Sequence, residues 1–189
     1  MKRFSCLIAI GVVLVIVLAI VLGIAGSYNG LVKKSQAVDS QWAQVETQYQ
    51  RRYDLIPNLV NTAKGYLTQE QTIFSEITQA RASYGAAQTT NEKAVAAGDL
   101  ETALGKLIVI VENNPEIKSD KVMIGLMDEL AGTENRISVE RKRYNDTVRE
   151  YNSAVKSFPS NILAGMFNFE ERDYFTSVSG ADTPPVVEF

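Results

Sequence analysis

From Phe4 to Ala25 the sequence reads FSCLIAIGVVLVIVLAIVLGIA, without a single charge. A helix of about 20 apolar residues spans the hydrocarbon core of a bilayer. The run therefore predicts a lipid-bilayer anchor over residues 4–26. A secretory signal peptide is the competing reading, and Gly23 and Ala25 are small residues at the spacing that signal peptidase favours. The apolar region of a signal peptide is usually about 7–15 residues. This run is longer, so an uncleaved anchor is expected. Cys6 opens the run rather than coming after it, which is not a lipobox position. Lys2 and Arg3 form a short basic flank, residues 1–3, that abuts the run directly, whereas Lys33 and Lys34 lie further from its other end. The excess of positive charge on cytoplasmic flanks then predicts a cytoplasmic N-terminus and an extracytoplasmic remainder.

The chain beyond the anchor is polar, and its chemistry is restricted. There is no histidine, which removes histidine bases, nucleophile–histidine arrangements and histidine metal ligands. One cysteine can build neither an internal disulfide nor a cysteine zinc site. The net charge is -3 from 19 basic and 22 acidic residues; without Lys2 and Arg3 the balance is 17 against 22, or -5. A mildly acidic domain lacks the basic footprint that nucleic-acid binding needs, so no nucleic acid is expected as a partner. No cofactor is expected either.

Apolar residues recur at spacings of three and four, not two, which argues for helices throughout. The first is expected over 28–53, with Leu31, Val38, Trp42, Val45, Tyr49 and Tyr53 as its stripe. Asp54 and Pro57 read as the cap and first turn of a second helix, 56–84. A third covers 92–113 and ends at Asn113-Asn114-Pro115; a fourth covers 119–158, with Leu126, Leu130, Ile137, Tyr144, Val148, Tyr151, Val155 and Phe158 as its seam. Pro159 ends it. The fold class expected is all-α: an N-terminal transmembrane helix followed by an up-down antiparallel four-helix bundle over 27–158. One long coiled coil is the alternative, against which the prolines at 57 and 115 argue. Residues 159–175 are expected to form a membrane-proximal aromatic segment, packed across the bundle end or lying in the lipid interface. Residues 176–189, with Pro184-Pro185, read as a disordered tail.

Four constellations can carry function. Arg51-Arg52-Tyr53-Asp54 is either a binding site or a helix end whose cations favour the dipole. Arg136, Arg141, Lys142, Arg143 and Arg149 make the fourth helix basic, but Glu134, Glu140, Asp146 and Glu150 interleave with them as on a solvated face. Tyr144-Asn145 and Tyr151-Asn152 repeat at seven residues, so both tyrosines share a face, as seam residues with bonded hydroxyls or as a stacking box. Glu170-Glu171-Arg172-Asp173 clusters carboxylates without the spacing of a calcium loop.

The stretch from Tyr28 to Tyr66 resembles the LemA family of bacterial membrane proteins. The resemblance rests on Trp42-Ala43-Gln44-Val45-Glu46 followed by Arg51-Arg52-Tyr53-Asp54-Leu55-Ile56-Pro57-Asn58-Leu59-Val60. A second block carries it further: Glu134-Asn135-Arg136-Ile137, Arg141, Tyr144-Asn145, Tyr151-Asn152 and Phe158-Pro159. The resemblance implies a single-pass protein of the bacterial plasma membrane, with a helical bundle and no established activity. It also implies an envelope protein partner, with a membrane zinc metalloprotease as the family's genomic neighbour. The expected role is a noncatalytic interaction or scaffold protein. The alternative is a small-ligand sensor or enzyme using a carboxylate, arginine and tyrosine pocket.

Overall fold

A computed structural model describes the backbone of residues 2–67 and 70–175, with side chains from Ile10 onward. The tail expected to be disordered, 176–189, lies outside the described residues. The chain is all-helical, with no strand among the described residues: α1 is Lys2–Lys64, α2 Gln71–Ala86, α3 Thr90–Asn113, α4 Pro115–Lys118, α5 Lys121–Lys156 and α6 Ser160–Met166.

The helix boundaries correct one expectation. Local rules place a helix start at Pro57, yet α1 runs through it to Lys64. Asp54 is not a cap; its carboxylate accepts a hydrogen bond from the Gln50 amide at 2.8 Å within the helix. A proline inside a helix costs about 3 kcal/mol. Here Ile56, Leu59, Val60 and Ala63 all bury into one core beside it, and packing of an apolar face outweighs local propensity. The chain turns instead near Gly65, whose amide bonds the Thr62 carbonyl. The starts of α3, α4 and α5 do obey capping chemistry, whereas those of α2 and α6 carry no side-chain cap. Thr89 and Glu92 form a reciprocal capping box before α3. Asn114 caps α4, with Pro115 in its first turn, and the Asp120 carboxylate accepts from the amides of Val122 and Met123 at the start of α5.

Two compact units share this chain. The first comprises the chain up to Ser40 and Asp146–Arg172. Within α1, residues 10–26 are exposed all round and almost wholly apolar, and the helix is long and apolar enough to cross a membrane. From Leu31 onward one face is buried. Leu31, Leu163 and Ala164 form a small core, with Ala154, Val155 and Phe169 packed against it. The end of α6 is a Schellman turn: Asn168 sits at φ 55, and the Phe169 amide reaches back to the Ala164 carbonyl at 2.9 Å. Asparagine tolerates that left-handed conformation better than most residues.

Among the described residues the second unit comprises Gln41–Asn145 and residues 173–175. Its core draws Ile56, Leu59, Val60 and Ala63 from α1, Phe74, Ile77 and Ala80 from α2, and Leu100, Ala103, Leu104, Leu107 and Val111 from α3. Ile117 of α4 and Met123 and Leu130 of α5 complete it. Five of the expected stripe and seam residues do not belong to the buried set: Tyr53, Leu126, Val155, Trp42 and Phe158. Tyr53, Leu126 and Val155 are half-buried. Trp42 is only half-buried as well, and Phe158, in the first unit, is 80% exposed. The regular helix α5 ends at Lys156, so the heptad seam stops before Phe158.

Candidate interaction site

On α1, Tyr49, Arg52 and Ile56 lie three and four residues apart, so the stripe that feeds the core carries a cation in its middle. Arg52 is 3% exposed. Burying a charge is costly unless it is paired and hydrogen-bonded, and each face of this guanidinium has a partner. Its Nε donates to the Thr133 hydroxyl at 3.3 Å, its Nη1 lies 3.5 Å from the Glu101 carboxylate, and its Nη2 pairs with Glu134. Thr133 in turn donates to the Leu130 carbonyl at 2.7 Å. Arg141 of α5 approaches the same Glu101 and donates through Nε to the Tyr49 hydroxyl at 2.7 Å. Three helices are thus tied by one carboxylate between two arginines.

The electrostatics arise from burial. Desolvation pushes the Glu101 carboxyl up, against the opposing pull of Arg141 and Arg52. Burial likewise raises the Tyr49 hydroxyl well above its ordinary value, with Arg141 opposing. The same cause raises Tyr84, whose ring lies 5.4 Å from that of Tyr49.

The two Tyr-Asn pairs of α5 hold the tail by its backbone. In the second unit, Asn145 donates to the Phe175 carbonyl at 2.9 Å and accepts from the Phe175 amide at 2.8 Å. Tyr144 donates to the Asp173 carbonyl at 3.0 Å. Phe175 is buried. Its ring lies 6.2 Å from Trp42, 6.4 Å from Tyr49 and 4.6 Å from the Arg141 guanidinium. In the first unit, Asn152 donates to the Arg172 carbonyl at 2.8 Å and accepts from its amide at 2.9 Å. Tyr151 donates to the Glu170 carbonyl at 2.9 Å. A seven-residue step on α5 corresponds to a three-residue step along the tail.

The remaining motif residues scatter. Arg51 is exposed and pairs with Glu129 at 2.9 Å. Tyr53 stacks under the Arg81 guanidinium at 3.9 Å. Trp42 meets Tyr144 edge-on, with centroids 5.3 Å apart. Pro57 is half-buried in α1, and Asn58, Asn135, Arg136 and Pro159 are exposed. The tail carboxylates do not converge: Glu171 pairs with Lys156 at 2.7 Å, and Arg172 reaches Asp39 at 3.3 Å. Sequence reasoning missed Glu101, Thr133 and Phe175. For Glu101 a signal existed, because it sits four residues after Ala97 and three before Leu104, at the edge of the buried stripe of α3. For the Phe175 seat the aromatic residues themselves were visible, but nothing in the sequence pairs that ring with Trp42, Tyr49 and Arg141, and Asn145 holds only its backbone.

Comparison with known proteins bears on these same residues. Magnetosome protein MamQ 2 of Paramagnetospirillum magneticum is 28% identical, in an alignment covering 83% of this chain and 67% of the relative. Magnetosome protein MamQ of Magnetospirillum gryphiswaldense is 27% identical with the same coverage. The LemA family model matches residues 41–189, which include the Arg52 network, both Tyr-Asn pairs and the tail they hold; the chain therefore belongs to the LemA family.

Proposed function

We propose that this chain is a noncatalytic, single-pass membrane protein whose helical domain serves as an interaction or scaffold element of the bacterial cell envelope. The observation that carries this reading is the use made of the family's motif side chains. Arg52, Glu134, Arg141, Tyr144, Asn145, Tyr151 and Asn152 spend their hydrogen bonds and charges on Glu101, Thr133, Tyr49 and the tail backbone. Such networks specify one arrangement of helices rather than perform a reaction. The relatives' names give a location, the magnetosome, and no reaction.

In this reading α1, α2, α3 and α5 form an up-down four-helix bundle. Residues 4–26 cross the inner membrane with the N-terminus in the cytoplasm, and the bundle presents its exposed faces to an envelope protein. By family context, a membrane metalloprotease is the first partner to test. Site-specific crosslinking in intact membranes, from exposed positions such as Arg136 and Asn135, should recover one defined partner. Recovery of abundant bystanders alone would count against the scaffold role. A metabolite that raises the melting temperature of the wild type but not of Tyr49→Phe would point to a ligand sensor.

A further inference from the structure

The uncharged stretch Ser157–Phe169 divides its apolar side chains between two environments. Leu163 and Ala164 turn inward and are 8% and 2% exposed, packed with Leu31 of α1. Ile162 and Met166, four residues apart and so on one face of α6, are 55% and 71% exposed. Phe158 and Phe167 flank them at 80% and 51%. Large apolar side chains exposed this close together mark a place of contact.

Where that surface lies decides what it contacts. The Phe167 and Phe169 rings meet Tyr28 of α1 edge-on, with centroids 4.8 and 5.8 Å away. Tyr28 is three residues beyond Ala25, the end of the apolar run, which along a helix is about 4.5 Å. Leu31, the seat of Leu163, is six residues beyond, about 9 Å. The exposed face of α6 is thus held at the level where a spanning α1 leaves the hydrocarbon. That is the depth at which aromatic side chains partition into the headgroup region. The stretch is also too short to span, and it carries no charge that would need to stay in water.

We propose that α6 and its flanking aromatics are a second membrane-contacting element. Phe158, Ile162, Met166 and Phe167 insert into the headgroup–acyl boundary of the bilayer that α1 crosses, while Leu163 and Ala164 bind the segment to α1. The proposal rests on the reading of α1 as an anchor and adds a side-on contact that sets how the emerging helix meets the lipid surface. Insertion is driven by apolar area, so it does not depend on anionic lipid.

The test uses the full-length chain with Cys6→Ser, reconstituted in phosphatidylcholine vesicles containing nitroxide lipids of graded depth. An environment-sensitive fluorophore is placed in turn at Ile162→Cys, at Gln36→Cys and at Val17→Cys. Position 162 should be quenched most by shallow nitroxides, at least several-fold more than position 36, with a blue-shifted emission. Adding phosphatidylglycerol should leave that ratio unchanged. Quenching of 162 by aqueous iodide, as freely as at 36, would overturn the proposal. So would shielding of 162 from both quenchers together with disulfide dimers of the unlabelled Ile162→Cys chain, which would make the face an interface between copies. Deep quenching at Val17 checks the anchor separately. If Val17 fails, the anchor reading fails, whereas failure at 162 alone removes only the second contact.

Discussion

The dipeptide Tyr-Asn occurs twice on α5, and its two copies grip the tail with the same three hydrogen bonds but back them differently. In the second unit the clip at Asn145 holds a residue whose own ring is buried: Phe175 enters a setting of Trp42, Tyr49 and Arg141. In the first unit the clip at Asn152 is backed by Arg172, whose side chain reaches Asp39 across an exposed surface. One N–H and the oxygen of each asparagine amide match the carbonyl and amide of a single residue, so the pair reads backbone and not side chain. The grip is common to both copies. What differs between the copies is the side chain that the gripped residue carries, a buried ring at Phe175 and an exposed guanidinium at Arg172.

The largest test of that difference is Phe175→Ala. Removing a buried aromatic ring should lower the unfolding free energy by about 3 kcal/mol, the low end for such truncations, measured by urea titration of the full-length protein. Tyr174→Ala, at a side chain 47% exposed, should change it by less than about 0.5 kcal/mol. Equal effects would show that the ring is not the anchor.

The clips come next. Asn145→Ala and Asn152→Ala each remove two hydrogen bonds, and each should cost about 1–3 kcal/mol. Asn152 is 5% exposed and Asn145 is half-buried, so Asn152→Ala should be the more damaging of the two. The reverse order would mean that Phe175, not the amide, dominates in the second unit.

A smaller effect separates the hydroxyl from the ring. Tyr151→Phe should cost about 1 kcal/mol and should alter the alkaline limb of stability. Burial holds the Tyr151 hydroxyl above its ordinary value of 10.0. A group whose folded pKa is raised contributes stability that is complete below the unfolded value and is lost as pH rises through the folded one. The wild type should therefore lose stability above pH 10 more steeply than the variant, as measured by circular dichroism. Coincident alkaline limbs would remove Tyr151 from the clip's energetics.

The smallest effect is expected at Arg172→Ala. The pair with Asp39 is exposed on both sides, and such pairs contribute between about 0 and 1 kcal/mol, less in high salt. A loss above about 1.5 kcal/mol in the same titration, beyond the range for an exposed pair, would make the first clip as strongly backed as the second.

The helices were legible in the sequence because burial repeats at spacings of three and four: Leu100, Leu104, Leu107 and Val111 all reach the core of α3 as their pattern requires. Pro57 misled because its local rule is real but small beside the four apolar residues that α1 buries next to it. Trp42 misled because size and a stripe position do not fix depth. Of the interaction site, the Tyr-Asn heptad was visible as a repeat, but its partners were not. A carbonyl oxygen is supplied by every residue, so Glu170 and Asp173 carry no mark of being held. Arg52 stood out as half of an arginine pair, yet the sequence could not say which arginine goes inside. Only the placement of Glu101, Thr133 and Glu134 opposite residue 52 decides it.

The grip on backbone has a consequence for solvent exchange. The amide hydrogens of Arg172 and Phe175 are spent on the two asparagine oxygens, while the side chains from Glu170 to Tyr174 stand exposed. In heavy water those two hydrogens are released only when their asparagine lets go. The tail thus carries two clocks three residues apart, one in each unit. Each reports the opening of its own clip, whatever sequence lies between them.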